Sequence, residues 1–106
     1  MKEFLININR SKEFEEKFLV LIIYDITDNK RRYHFCKYIS SYATRVQKSC
    51  FETYIGEKLF AEMLSKIDRY INEDEDNIRV YRLSANGKVY NYGIDTGEYI
   101  EDVVII

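Results

Sequence analysis

Proline and tryptophan are absent from the chain, cysteine occurs twice and histidine once. Two cysteines without CxxC spacing leave neither a disulfide scaffold nor a zinc site, so Cys36 and Cys50 read as reduced, half-buried thiols. No apolar run approaches the ~20 residues that a membrane-spanning helix needs. The opening "MKEFLININR" has acidic and polar residues where a signal peptide is continuously apolar, and no small-residue cleavage site follows. The expected location is the cytoplasm, with no membrane partner. The lone His34 falls on a basic helical stripe and reads as a solvated surface side chain rather than a general base.

What is present describes one globular domain. The chain has 106 residues, 46% hydrophobic and 32% charged, enough for a core and too apolar for disorder. Ten tyrosines and no proline suit a compact domain whose sheet or interface uses amphipathic rings. A net charge of −2 conceals a segregation: residues 27–50 carry +5, residues 51–106 carry −6 and residues 1–26 carry −1. Affinity for a polyanion follows the local field, so one concentrated basic segment is compatible with phosphate binding in an almost neutral protein.

Periodicity gives the element order. Residues 1–17 read as an extension of unknown role, and 18–106 as the domain. Residues 18–26 form a near-continuous apolar run, the pattern of a central strand covered on both faces. From Lys30 to Ala43 apolar residues recur at helical spacing with a basic outer stripe, behind a cap at Thr27, Asp28 or Asn29. The stretch "RVQKSCFETYIG" (45–56) reads as two short strands with a tight turn near Lys48 and Ser49, or as one bulged strand. Leu59, Phe60, Met63, Leu64, Ile67, Tyr70 and Ile71 predict a second helix, and "NEDEDN" (72–77) a solvated acidic loop. Strands follow at 78–84 and "KVYNY", with an "ANG" turn between them and a terminal β-prone "VVII". Strand, helix, two strands, helix, strand is the split βαβ plan: an α+β, ferredoxin-like βαββαβ antiparallel sheet with extra C-terminal strand(s). Its uncovered face and the charge-free terminal strand both call for a second copy, so a homodimer is expected.

The stretch "YDITDNKRR" (24–32) places one carboxylate, Asp25, where the core strand ends and positive charge begins. Asp25 is either a capping carboxylate or a site; Asp28 reads as a cap. Arg31 and Arg32 sit in a first helical turn, where the macrodipole disfavours cations, which points to phosphate contact. Arg45 offers a planar fork for phosphate oxygens, or is a solubilising edge charge. Lys30 and Lys37 extend the basic stripe. Tyr24 orients Asp25, stacks on a base, or is a strand-end aromatic; Gln47 and Ser49 serve the turn or the site; Phe51 is core or interface.

Taken together, "YDITDNKRR" and "YATRVQKSCFE" resemble the small CRISPR-associated nuclease family Cas-two, whose pattern is an apolar strand ending in Tyr-Asp-Ile, paired basic residues, then Tyr-Gly, Arg-Val-Gln and Ser-Val-Phe-Glu. Residues 19–56 carry these in order, with Ala43 in place of the family's usual Gly and Cys50 in place of its common Val. The resemblance implies a homodimer in which two copies of Asp25 approach across the two-fold axis and hold Mg2+, with Mn2+ as a substitute. It further implies a metal-dependent endonuclease on RNA or DNA that takes part in spacer acquisition with the Cas-one integrase. In some members that second role is independent of cleavage, so a non-catalytic dimeric DNA-binding scaffold is the alternative.

Overall fold

The computed structural model describes residues 16–83 and 88–94. Among these described residues five strands and two helices occur in the order β1 (Lys17–Asp25), α1 (Asn29–Ile39), β2 (Thr44–Gln47), β3 (Cys50–Gly56), α2 (Glu57–Leu64), a 3-10 turn (Ile67–Tyr70), β4 (Asn77–Leu83) and β5 (Lys88–Gly93). All neighbouring strands are antiparallel, in the sheet order β2-β3-β1-β4-β5. This is the expected ferredoxin-like α+β fold, extended by β5. The expected "ANG" turn, the terminal "VVII" strand and most of the 1–17 extension lie outside the described residues.

β1 is central, as its apolar run predicts, but it is not sealed on both faces. Phe18, Val20, Ile22 and Tyr24 are buried toward the helices, whereas Leu19, Leu21 and Ile23 are only half-buried on the opposite face. Strict two-residue alternation puts Asp25 on that second face, exposed. The core gathers the inner face of β1 with Phe51 and Ile55 of β3, Ile78 and Val80 of β4, Phe35 and Ile39 of α1, and Phe60 and Met63 of α2.

Both helices stop earlier than their periodicity predicts. After Ile39 the α1 pattern tightens into a turn: Tyr42 N and Ala43 N both donate to Ile39 O, and the Ser41 hydroxyl takes Tyr38 O at 2.7 Å. Two adjacent serines compete for helix carbonyls and so favour an end there. In α2 the pattern of 59–71 breaks after Leu64. Tyr38 Oη donates to Met63 O at 2.8 Å and Ser65 Oγ to Glu62 O at 2.7 Å, so carbonyls that would propagate the helix are occupied. Ile67 still reaches the core from the 3-10 turn.

The 45–56 stretch is two strands, and the ladder between them also carries an irregularity at Arg45/Gln47. The two-strand reading holds, with the bulge sitting in β2 rather than joining the stretch into one strand. Phe51, opposite Ile22 and 1% exposed, is a core residue in contact with the Tyr24 ring at 5.7 Å. Phe51→Ala is expected to cost about 3–5 kcal/mol, read by urea denaturation; a loss below about 1 kcal/mol would contradict its core placement.

Candidate nucleic-acid interface at the end of the first strand

The sheet pairing of β1 with β4 ends at Asp25 opposite Asn77, and the chain then turns through Ile26 and Thr27 into α1. Asp28 caps the helix, its carboxylate accepting Arg31 N at 2.9 Å. That backbone hydrogen bond, with the nearby Arg31 charge, holds the Asp28 carboxyl below the usual carboxylate range. Asp28 is thus the cap among the three candidates.

Arg31 and Arg32 diverge despite being adjacent. Arg31 turns toward Asp76: its Nε donates to Asp76 Oδ2 at 2.9 Å and its terminal nitrogen to Glu75 Oε1 at 3.0 Å. Asp76 has no solvent exposure, so "NEDEDN" is not a uniformly solvated loop; its fourth acid is a buried anchor. Burial alone would raise the Asp76 carboxyl pKa, but the Arg31 guanidinium and the N–H groups of Asn72 and Thr27 outweigh it and hold it low. Asp76 in turn raises the pKa of Arg31. The first-turn cost of the Arg31 cation is therefore offset inside the fold. Arg32 instead folds back over the loop, its Nε donating to Ile26 O at 3.2 Å and a terminal nitrogen to Asn29 Oδ1 at 2.6 Å.

A cleft of about 420 Å³ opens beside Asp25, lined by Tyr24, Asp25, Ile26, Arg32, Arg45, Lys48 and Ser49. The Asp25 carboxylate is exposed and accepts no hydrogen bond from a described residue. Arg45 arches over the β2–β3 turn and donates to Lys48 O at 2.6 Å. The structure thus brings together Asp25, Arg32, Arg45 and Ser49 of the expected residues, and adds Lys48. The position of Lys48 at the hairpin turn was the available signal, because that turn packs against the end of β1 through Tyr24 N and Ser49 O.

Tyr24 requires a correction. Its ring is 3% exposed on the helix side, between Phe35 and Phe51, and its hydroxyl donates to Lys48 O at 2.9 Å. Burial, with the nearby Cys36 thiol, pushes the phenol up to about 12. It neither faces Asp25 nor offers a stacking surface, and its work is to pin the turn that carries Lys48. Lys30, His34 and Lys37 lie exposed on α1 outside the cleft lining. Gln47 lines a neighbouring groove of about 510 Å³ with Leu21, Ile23, Val46, Ser49, Cys50 and Glu52. Phe51 supports the site only from beneath.

Among the described residues no group of three or more carboxylate, thiol or imidazole side chains could ligate one metal ion. Asp25 does fit half of a weak site for a hard divalent ion, which commonly binds through one or two carboxylates and keeps several waters.

With this geometry in view, the family model of CRISPR associated protein Cas2 matches residues 18–89. The chain belongs to the Cas2 family. It is 40% identical over 77 residues to the CRISPR-associated endoribonuclease Cas2 of Mycobacterium tuberculosis, covering 73% of this chain and 67% of that one. It is 36% identical to the CRISPR-associated endoribonuclease Cas2 1 of Thermodesulfovibrio yellowstonii, over 72% and 83% of the two chains. Among solved structures, the hypothetical protein TT1823 from Thermus thermophilus superposes with a TM-score of 0.61 at 33% identity, over 65% of this chain and 84% of that one. The Cas2 match spans β1 to the start of β5 and so contains every residue lining the Asp25 cleft.

The buried ion pair makes a pH prediction. A carboxyl held low in the folded state stabilises above its unfolded pKa of about 3.9 and loses that contribution as pH falls through the folded value. Asp76→Asn is therefore expected to cost about 3 kcal/mol at pH 7, with the difference from wild type shrinking below about pH 4. Urea denaturation at pH 7 and pH 3 measures this; a pH-independent difference would contradict the charged pair.

Proposed function

We propose that this Cas2 protein is a metal-dependent endonuclease cleaving phosphodiester bonds in RNA or DNA, built as a homodimer that presents two copies of Asp25 to one scissile phosphate. The observation that carries this reading is the free Asp25 carboxylate in a cleft lined by Arg32, Arg45 and Lys48. Three cations suit a phosphodiester backbone, and the remaining carboxylate is a hard-oxygen ligand beside it. Asp25 would hold a divalent ion, which when bound would lower the pKa of a water and polarise the phosphate. Arg32 and Arg45 orient the phosphate and neutralise the charge that develops on it, while Lys48 contributes field without fixed geometry. The endoribonuclease names of the M. tuberculosis and T. yellowstonii relatives support this reading.

The second copy is supported by the part of the sheet face opposite the helices that β1, β2 and β3 form. Leu19, Leu21 and Ile23 are half-buried there in one chain, Val46 is exposed, and these side chains line grooves on both sides of Glu52. A second chain on this face would remove apolar area from water, and Asp25 shares that face.

A second reading rests on the excess of cations over carboxylates. With Lys30 and Lys37 also exposed on α1, the protein serves as a dimeric scaffold that grips duplex DNA and joins the Cas-one integrase in spacer acquisition without cutting. Both readings predict backbone contact and only the first predicts chemistry.

Asp25→Ala is expected to lower magnesium-dependent cleavage of RNA or DNA by about 100-fold or more with oligonucleotide affinity retained. Equal cleavage by variant and wild type would remove the nuclease reading, and binding without cleavage by either would favour the scaffold. Arg45→Ala and Lys48→Ala are each expected to reduce the salt slope of binding by about 1. Arg31 is a poor choice for that experiment, since its removal strands Asp76.

A further inference from the structure

We propose that Asp76, in the acidic stretch before β4, is a positioning residue that sets the geometry of the Asp25–Arg32 loop. The inference rests on the reading above that this loop carries the site.

The ladder between β1 and β4 constrains the chain only as far as Asp25, paired with Asn77. Residues 26–28 have left the sheet and have not entered the helix, so sheet pairing cannot hold them. Asp76, the residue just before Asn77, extends the pairing with a side chain. Its Oδ1 accepts Thr27 N at 3.0 Å and the Thr27 hydroxyl at 3.3 Å. Its Oδ2 accepts Arg31 Nε at 2.9 Å and Asn72 N at 2.8 Å, while a terminal nitrogen of Arg31 reaches Oδ1 at 3.2 Å. One buried carboxylate therefore binds the loop at two points, Thr27 and Arg31, inside the interval bounded by Asp25 and Arg32.

Asp76 is itself held from behind. Its carbonyl accepts Ile94 N at 2.9 Å, and Gly93, at φ +92°, packs so closely that a Cβ there would lie 2.0 Å from that oxygen. Its own N–H donates to Asn72 O at 2.8 Å. A charge with no solvent exposure is costly unless several donors meet it, and an apolar contact would hold the two loops together without it. What the carboxylate adds is direction: four donor contacts from Thr27 and Arg31 fix the azimuth of Thr27 and the start of α1, and hence where Asp25 and Arg32 stand relative to each other. Misplacement of a reacting group by about 1 Å costs on the order of 100-fold in rate.

The test is Asp76→Asn in the full chain, with far-UV circular dichroism confirming the fold. Amide hydrogen exchange at Thr27 and Arg31 is expected to accelerate about tenfold or more beyond the factor seen at Val20 and Ile22, which report the loss of overall stability. The kcat for cleavage of a short RNA with Mg2+ is expected to fall about 10- to 100-fold, with Kd for that RNA within about twofold. Exchange at Thr27 raised no more than at Val20 and Ile22 would overturn the proposal, as would that excess acceleration with undiminished kcat. Should Asp76→Asn not fold, Thr27→Ala removes the hydroxyl contacts to Glu75 and Asp76 and is read by the same measurements with smaller shifts. A wild-type protein that cleaves nothing would sink the nuclease reading and leave the exchange result to decide the positioning role.

Discussion

The architecture depends on the parity of β1. Because this strand lies between β3 and β4, its alternate residues must serve two different surfaces at once. Phe18, Val20, Ile22 and Tyr24 fill the space under the helices, and a slip by one residue would bury Asp25 and expose Tyr24. Such a slip would turn Leu19, Leu21 and Ile23 into the core, so what forbids it is the cost of burying the unpaired Asp25 charge together with the lost packing of the Phe18 and Tyr24 rings. The core thus dictates the direction of the acid at the strand end. Position and chemistry of the cleft both descend from a packing constraint.

Charge is then sorted around that acid by short hydrogen-bonded connections. Arg31 is drawn inward by Asp76, whereas Arg32 and Arg45 are shaped by backbone carbonyls, which leave the guanidinium charge uncompensated. That difference separates a structural cation from cations able to receive phosphate, though all three belong to one basic segment. The Tyr24 hydroxyl and the arching Arg45 both converge on Lys48 O, so the β2–β3 turn is docked to the end of β1 by groups that also border the cleft. Folding and site assembly share the same contacts.

The fold was legible because hydrophobic spacing reports the sheet and both helices, and the hairpin between 45 and 56 betrayed itself by a change of face. Helix ends were less so: the stop after Leu64 depends on a hydroxyl from Tyr38, 25 residues away from Met63 in sequence. Asp25 stood out by its place after an apolar run. The orientation of Tyr24 did not, since a run without polar residues carries no parity mark. Asp76 was hidden among three neighbouring acids, and only the tertiary approach of Thr27 and Arg31 distinguishes it from solvated Glu73, Asp74 and Glu75. Composition-based charge counts see a segment; they do not see which member of it is buried.

The central claim is that symmetry completes what one chain only begins, two Asp25 carboxylates making a single cation-binding and cleaving centre. Mixed dimers test it most directly. Wild-type and Asp25→Ala chains, exchanged at equal amounts and fixed total concentration, are predicted to retain about a quarter of the cleavage of pure wild type, because only wild-type pairs are complete. Retention of about half, each wild-type chain working regardless of its partner, would contradict a shared centre.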